Sequence, residues 1–493
     1  MTTSALVAGL VVASFLLGFL RDLLIAGRLG VGLQADILFL ALVVPVFFEN
    51  LLGLALRDAM IPYLQRLKGQ GAALGRAACR LYHGALAYGL ALSLIAAAGA
   101  SWWIQALAPG WDAASRDLAL PAFVVGAGLI FVQTALYCQT ALLNAEGRFV
   151  LPMWRTVLYN LGGIAGLIWW PQAAVYALVG MLLGQAVLLG VQHAVVRPGL
   201  GPCSAPTSGE PPLAFLRSFL PVLLATAAQQ TCVVAERVFA SWLEPGSITL
   251  LSISFRIATL PLTLFALSVL AVLYPRLALT WAQGDRAAFG AVLRRLLTLA
   301  LLIMIPPMLV MAAQPDAVIA VLLERGEFGP AQTAAAAPLL LAYALGLVGM
   351  ALSLLWGRVL LAQQAATRFF YITLATSVLT IVLDALLYRP FGALGLAAAF
   401  AAGAWMQALW LGWEARLRHG ALAPGLSWLR WVAATAAAAG GLAWLPPLTP
   451  VAALAASLGL APLLLLAGLW LLGEREPFER RFWSAPVADT GGL

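Results

Sequence analysis

Long apolar runs follow one another along almost the whole chain, separated by only a few polar residues, and this leaves little choice of fold. Such runs fall near residues 3–29, 34–63, 78–106, 119–144, 150–171, 173–197, 214–243, 247–280, 287–313, 333–365, 368–388, 391–417, 427–446 and 449–472. A helix crosses the hydrocarbon layer with ~20 apolar residues, so each run is long enough to span. With 63% hydrophobic and 10% charged residues the chain is far more apolar than a soluble domain, in which apolar residues make up roughly half. The expected fold is therefore all-α and polytopic, with about fourteen transmembrane helices. No stretch between spans has room for a soluble catalytic domain, so the function must lie within or across the bilayer and the chain is not expected to be an enzyme. The start, Met-Thr-Thr-Ser, has no basic n-region, and no cleaved signal peptide is expected.

The net charge of +8 does not point to nucleic acid, because its basic residues are scattered over short loops, the pattern that sets membrane topology. Arg66, Lys68, Arg76 and Arg80 follow the second run; Arg276, Arg286, Arg294 and Arg295 surround the end of the eighth; Arg416, Arg418 and Arg430 follow the twelfth. The intervening loops are poor in base, so both termini are expected in the cytoplasm. Trp102, Trp103, Trp169 and Trp170 fall at run ends, as interfacial anchors do. Neither the four cysteines nor the three histidines show the spacing of a metal site, and no metal centre is expected.

The sequence divides in two. Residues 198–213, rich in Pro, Gly and Ser, read as a cytoplasmic linker between six runs and six. Ile61-Pro62-Tyr63-Leu64 before Gln70-Gly71 is echoed by Tyr274-Pro275-Arg276-Leu277 before Gln283-Gly284. Ala141-Leu142-Leu143-Asn144-Ala145-Glu146-Gly147-Arg148-Phe149 is echoed in the same way by the stretch from Val359 to Phe369. Two matches at similar offsets point to duplication. The expected domains are an N-lobe (1–197), a C-lobe (214–418), a C-terminal helix pair (419–473) and a cytoplasmic tail (474–493), with a substrate site between the two pseudo-symmetric lobes near the midplane.

Charges inside the runs mark where that site should be, since a charge at bilayer depth costs ~3 kcal/mol or more and survives only facing a bundle interior or water. In the first half these are Arg21, Asp22, Asp36, Glu49, Arg57 and Asp58, joined by Arg155 and Asn160. The bland alternative is that they are helix-end and structural groups. Arginine suits a diphosphate because its planar fork makes bidentate bonds. In the second half, Glu236, Arg237, Arg256, Arg358 and Asp384 interrupt apolar runs, and Thr380 shares a helix face with Asp384. Such oxygens could hold Na+ or H+ during coupling; alternatively Asp384 pairs with Arg389. No P-loop, nucleophile elbow or helical metal-ligand pair occurs. Gly162, Gly163, Gly166, Gly180 and Gly184 read as close-packing positions between helices.

Ser14-Phe15-Leu16-Leu17-Gly18-Phe19-Leu20-Arg21-Asp22, then Ala35-Asp36, Pro45 and Pro62, resembles the opening of the MurJ/MviN family of lipid II flippases, relatives of the MATE exporters. Phe255-Arg256, Leu260-Pro261, Tyr274-Pro275 and Arg325-Gly326-Glu327-Phe328 extend the resemblance over nearly the whole chain. It implies alternating access, with an undecaprenyl-pyrophosphate-linked glycan moved from the cytoplasmic to the periplasmic leaflet. It also implies a cationic cavity that includes Arg21 and Arg256, and a lipid-tail groove formed by the last two helices. In the family's cation site, Glu236, Thr380 and Asp384 would be the ligands. Two positions depart from the family, which usually has arginine where this chain has Phe15 and Glu49. Either Arg57, Arg155 or Arg358 compensates, or the headgroup differs from that of lipid II, as in an exopolysaccharide repeat unit; the second is favoured. The substrate-binding set expected is Arg21, Asp36, Glu49, Arg57, Arg155 and Arg256. The rival readings are a MATE-like, cation-coupled exporter of small amphiphiles with Glu49 and Asp384 as hooks, and a scaffold recruiting glycan-biosynthesis partners.

Overall fold

The computed structural model describes residues 3–50, 60, 64, 72–170, 173–200, 213–419, 425–444 and 449–474. Among them the regular secondary structure is helical, and the sole strand-like contact is an isolated bridge between Arg325 and Phe328. The helices are α1 (Thr3–Leu29), α2 (Leu33–Phe48), α3 (Ala72–Ala98), α4 (Ala100–Leu107), α5 (Ala113–Ala145), α6 (Val150–Trp169), α7 (Ala174–Val196), α8 (Leu213–Ala240) and α9 (Ser247–Ala258). There follow α10 (Leu260–Phe265), α11 (Ala271–Ala282), α12 (Arg286–Ala313), α13 (Pro315–Leu323), α14 (Pro330–Ala362), α15 (Ala366–His419), α16 (Gly425–Ala443) and α17 (Pro450–Leu471).

Where they are described, the expected runs fall on helix, with differences that have local causes. Eight helices among the described residues are long and apolar enough to cross a membrane, and the longest stretch, 366–417, contains two of the expected spans. These meet at Gly392, whose φ of 58° and ψ of −138° no helix continues through. The run 247–280 is divided between α9, α10, a π-turn over 266–270 and α11, with Pro261 and Pro275 in its path. The second run is described as helix only to Phe48, and most of the linker 198–213 lies outside the described residues. Helix α13 was not expected from the apolar pattern.

The chain gathers into two compact units. The first comprises Met1–Ile253, Leu323–Gln332 and Asp384–Ala393; the second comprises Ser254–Leu322, Thr333–Leu383 and Leu394–Leu493. In the first, α5 is the central helix, burying Leu129, Ile130, Leu136 and Leu143. Helices α6 and α7 approach backbone to backbone: a Cβ on Gly162 would fall on the Gly180 carbonyl, one on Gly166 on that of Tyr176, and one on Gly184 on that of Leu158. The glycines thus serve the close packing expected of them. In the second unit, α14 is the most enclosed helix; Tyr343 packs edge-on against Phe255 and Phe400, at 5.3 and 5.8 Å between ring centroids. The pair α16–α17 packs on α12.

The repeated Leu-Leu stretches end their helices alike. After α5, Gly147 takes φ 82° and Arg148 N–H returns to the Leu143 carbonyl (2.8 Å); after α14, Gln364 takes φ 58° and Ala365 N–H returns to the Leu360 carbonyl (2.8 Å). Each closes a Schellman-type cap, in a register one residue away from the match in sequence.

Candidate functional site

In the first unit, α1 carries Arg21 and Asp22 side by side, both buried. Arg21 Nε and Nη2 donate to Asp22 Oδ1 (3.1 and 2.7 Å), Nη1 donates to Asn160 Oδ1 on α6 (3.1 Å), and Asn160 Nδ2 donates in turn to the Ser14 carbonyl (2.9 Å). The guanidinium also lies over the Tyr159 ring, 5.4 Å from its centroid. All three nitrogens of Arg21 are thus committed, which makes it a brace between α1 and α6.

One turn before Tyr159 on α6 stands Arg155, and its partner is Glu49, just beyond α2. Arg155 Nη1 donates to Glu49 Oε1 (2.7 Å), and the hydroxyl of Tyr137 on α5 donates to the same oxygen (2.8 Å). The guanidinium lies 4.6 Å from the Tyr137 ring centroid. The side chains of Arg155 and Glu49 keep 22% and 18% of their surface exposed. Two arginines thus face two carboxylates, and each of these two pairs is neutral overall. Arg155, one of the three arginines named as possible compensating charges, is paired with Glu49. Tyr137 and Tyr159 were not anticipated; the spacing of Arg155 and Tyr159, one helical turn, was the available signal for the second.

Asp36 was expected among the substrate-binding groups, and the structure gives it other work. It is 1% exposed and accepts three hydrogen bonds, from Gly246 N–H (2.6 Å), Thr249 N–H (2.7 Å) and the Thr249 hydroxyl (2.6 Å). It caps the N-terminus of α9 from a distant helix, satisfying donors that the first turn leaves orphaned. Beside it Gly246, at φ 98°, lies against Val31 and Gly32, where no side chain would fit.

Glu236 and Arg237 are buried on α8, 3.6 Å apart, and Arg237 Nη1 also donates to the Ile248 carbonyl (3.2 Å). Asp384 is 1% exposed, lies within the field of Glu236, and its Oδ1 has no hydrogen-bond partner among the described residues. The expected alternative, an ion pair with Arg389, does not form; Arg389 is exposed and donates to the Tyr388 hydroxyl (2.8 Å). Thr380, one turn before Asp384, donates to the Thr376 carbonyl (2.9 Å), which leaves its oxygen able to accept or to ligate. Among the described residues no group of three or more His, Cys, Asp or Glu is placed to hold a metal ion.

In the second unit Arg256 is exposed on α9, and Arg358 lies 5.5 Å from the Tyr274 ring centroid. Arg57 and Asp58 lie outside the described residues.

A multi-pass bundle with ion pairs and an orphan carboxylate set inside apolar helices has the architecture of a membrane transporter, and solved structures of that class share its fold. A MATE multidrug transporter of the MOP superfamily in an inward-facing conformation superposes with a TM-score of 0.71 at 15% identity, covering 83% of this chain and 95% of the other. A lipid II flippase MurJ in an inward closed conformation superposes with a TM-score of 0.79 at 19% identity, covering 96% and 100%.

The family follows from the sequence match: the lipid II flippase MurJ profile matches residues 25–461, and the chain belongs to that family of bacterial multi-pass membrane transporters. It is 27% identical over 453 residues to lipid II flippase MurJ of Burkholderia cenocepacia, covering 88% of this chain and 87% of the relative. It is likewise 27% identical over 430 residues to the probable lipid II flippase MurJ of Vibrio cholerae, covering 81% and 80%.

Proposed function

We propose that this chain translocates an undecaprenyl-pyrophosphate-linked glycan from the cytoplasmic to the periplasmic leaflet of the inner membrane, by alternating access. The observation that carries the reading is the family match over residues 25–461, joined to ion pairs within the apolar runs that a passive membrane anchor would not need. Both termini lie in the cytoplasm on this reading, as the distribution of Lys and Arg favours. The two six-helix lobes and the C-terminal pair belong to the same proposal.

Lipid II is the cargo named for the relatives, and an exopolysaccharide repeat unit is the alternative suggested by Phe15 and Glu49. Cells depleted of their own lipid II flippase and supplied with this chain decide between them. Restored growth identifies lipid II, and failure of a well-expressed chain to restore growth favours the dedicated glycan. The exporter of small amphiphiles is less well supported, because Glu49 is already engaged by Arg155 and Tyr137.

Coupling to Na+ or H+ would use Asp384, Glu236 and Thr380. The orphan Oδ1 of Asp384 and the accepting oxygen of Thr380 suit a small cation, which would neutralise a carboxylate that burial otherwise penalises. Transport in vesicles with an imposed Na+ or proton gradient, compared between wild type and Asp384→Asn, tests this. Equal, gradient-independent rates would remove the coupling role.

A further inference from the structure

Arg21 and Arg155 look equivalent in sequence and differ in what they leave available. Arg21 commits Nε, Nη1 and Nη2 to Asp22 and Asn160. Arg155 commits only Nη1, to Glu49, so its Nε and Nη2 make no hydrogen bond among the described residues. Glu49 is equally lopsided: Oε1 receives both Arg155 and Tyr137, and Oε2 receives nothing among the described residues. The two side chains nevertheless retain 22% and 18% exposure. Charged side chains that keep this much surface at span depth are not stable against lipid, so the exposed part of the pair faces space that water or cargo enters.

We infer that Glu49 and Arg155, steadied by Tyr137, form a subsite for an uncharged, hydroxyl-bearing sugar of the cargo; the inference rests on the reading of this chain as a flippase of lipid-linked glycans. A phosphate gains little at this place, because the charge of Arg155 is balanced by a carboxylate 2.7 Å away whose open oxygen repels a second anion. A sugar ring has the complementary pattern. One hydroxyl oxygen accepts from the Nε–Nη2 edge of Arg155, while a neighbouring hydroxyl donates to Glu49 Oε2, a donor and an acceptor fixed side by side. The ion pair holds both groups in place before the sugar arrives, so little ordering is left to binding. The acid at position 49 thus selects for the glycan and against an extra anion.

The test measures binding of three lipids to purified full-length chain in detergent: bare undecaprenyl pyrophosphate, the same lipid bearing one neutral hexose, and lipid II. Wild type is expected to bind at least one glycosylated lipid more tightly than the bare one. Glu49→Gln and Arg155→Lys, with melting temperatures matched to wild type, are each expected to weaken that lipid roughly tenfold, the scale of one charge-assisted hydrogen bond, without weakening the bare one. Equal weakening of bare and glycosylated lipids would make Arg155 a phosphate ligand and overturn the subsite. No weakening of either would make the pair structural and overturn it too, as would a wild type that does not prefer a glycosylated lipid. A wild type that binds none of the three would overturn the flippase reading itself, a result separate from these.

Discussion

Replacing Asp36 by alanine should destabilise the first unit, and the size of the effect follows from its bonds. Asp36 receives Gly246 N–H, Thr249 N–H and the Thr249 hydroxyl in a position 1% exposed to solvent. In Asp36→Ala the hydroxyl can turn back to a carbonyl of its own helix, as threonines commonly do, but the two amides cannot. Each buried amide without an acceptor costs about 1–3 kcal/mol, and relief from burying a carboxylate offsets part of the sum. A net loss of about 3 kcal/mol is expected, somewhat above the usual range of about 0.5–2 kcal/mol for losing an N-cap, because this cap is buried. For a cooperative unit of this size that corresponds to a fall in Tm of roughly 6–12 °C. Asp36→Asn keeps one accepting oxygen and turns an NH2 toward the other amide, so its Tm should lie between the two. Thr249→Val removes only the hydroxyl bond and should cost about 1 kcal/mol. Tryptophan fluorescence of detergent-solubilised protein during heating follows the transition. A Tm for Asp36→Ala indistinguishable from wild type, with transport lost, would refute the capping role and return Asp36 to the cargo.

Arg21→Ala removes the guanidinium that neutralises a buried Asp22 and should cost about 3–5 kcal/mol; Arg21→Ala with Asp22→Asn should recover most of the lost Tm. Gly162→Ala drives a methyl into the Gly180 carbonyl and should cost about 1–3 kcal/mol, read as lower Tm and a smaller monodisperse fraction on size-exclusion chromatography. Asp112 caps α5 by accepting from Ser115 N–H (2.9 Å), and the Ser115 side chain together with this bond holds its carboxyl below the usual range. A carboxyl lowered by folding contributes above its unfolded pKa and loses that contribution as pH falls through the folded one. The Tm difference between wild type and Asp112→Asn should therefore be present at neutral pH and shrink on acidification.

The helices were legible because the requirement they answer is one-dimensional: a run such as 119–144 must span, whatever it packs against. The break at Gly392 was legible too, since Arg389 and Pro390 separate the runs 368–388 and 391–417 just before it, whereas the divisions inside the run 247–280 were not. At the site, sequence located the charges but could not assign their partners. Asp36 and Glu49 look alike as carboxylates in apolar runs, yet one is saturated by the start of α9 and the other is held by Arg155 and Tyr137, partners 88 or more positions away in either case. Arg155 was one of three candidates to offset Glu49, and the packing of α6 beside the end of α2 is what brings it there.

That same ion pair has a consequence for how the chain is made. Arg21 and Asp22 emerge from the ribosome together and can enter the bilayer as a neutral unit. Glu49 cannot, because Arg155 is synthesised 106 residues later. At ~5–20 residues per second, that leaves the carboxylate waiting for roughly 5–20 seconds. During that interval the cheapest places for it are the headgroup layer or the shelter of the insertion machinery. The end of α2 should therefore settle late, once α6 has been delivered. Ribosome-stalled chains cut short of residue 155 should leave Glu49 reachable by water-soluble reagents, and chains that extend past α6 should protect it.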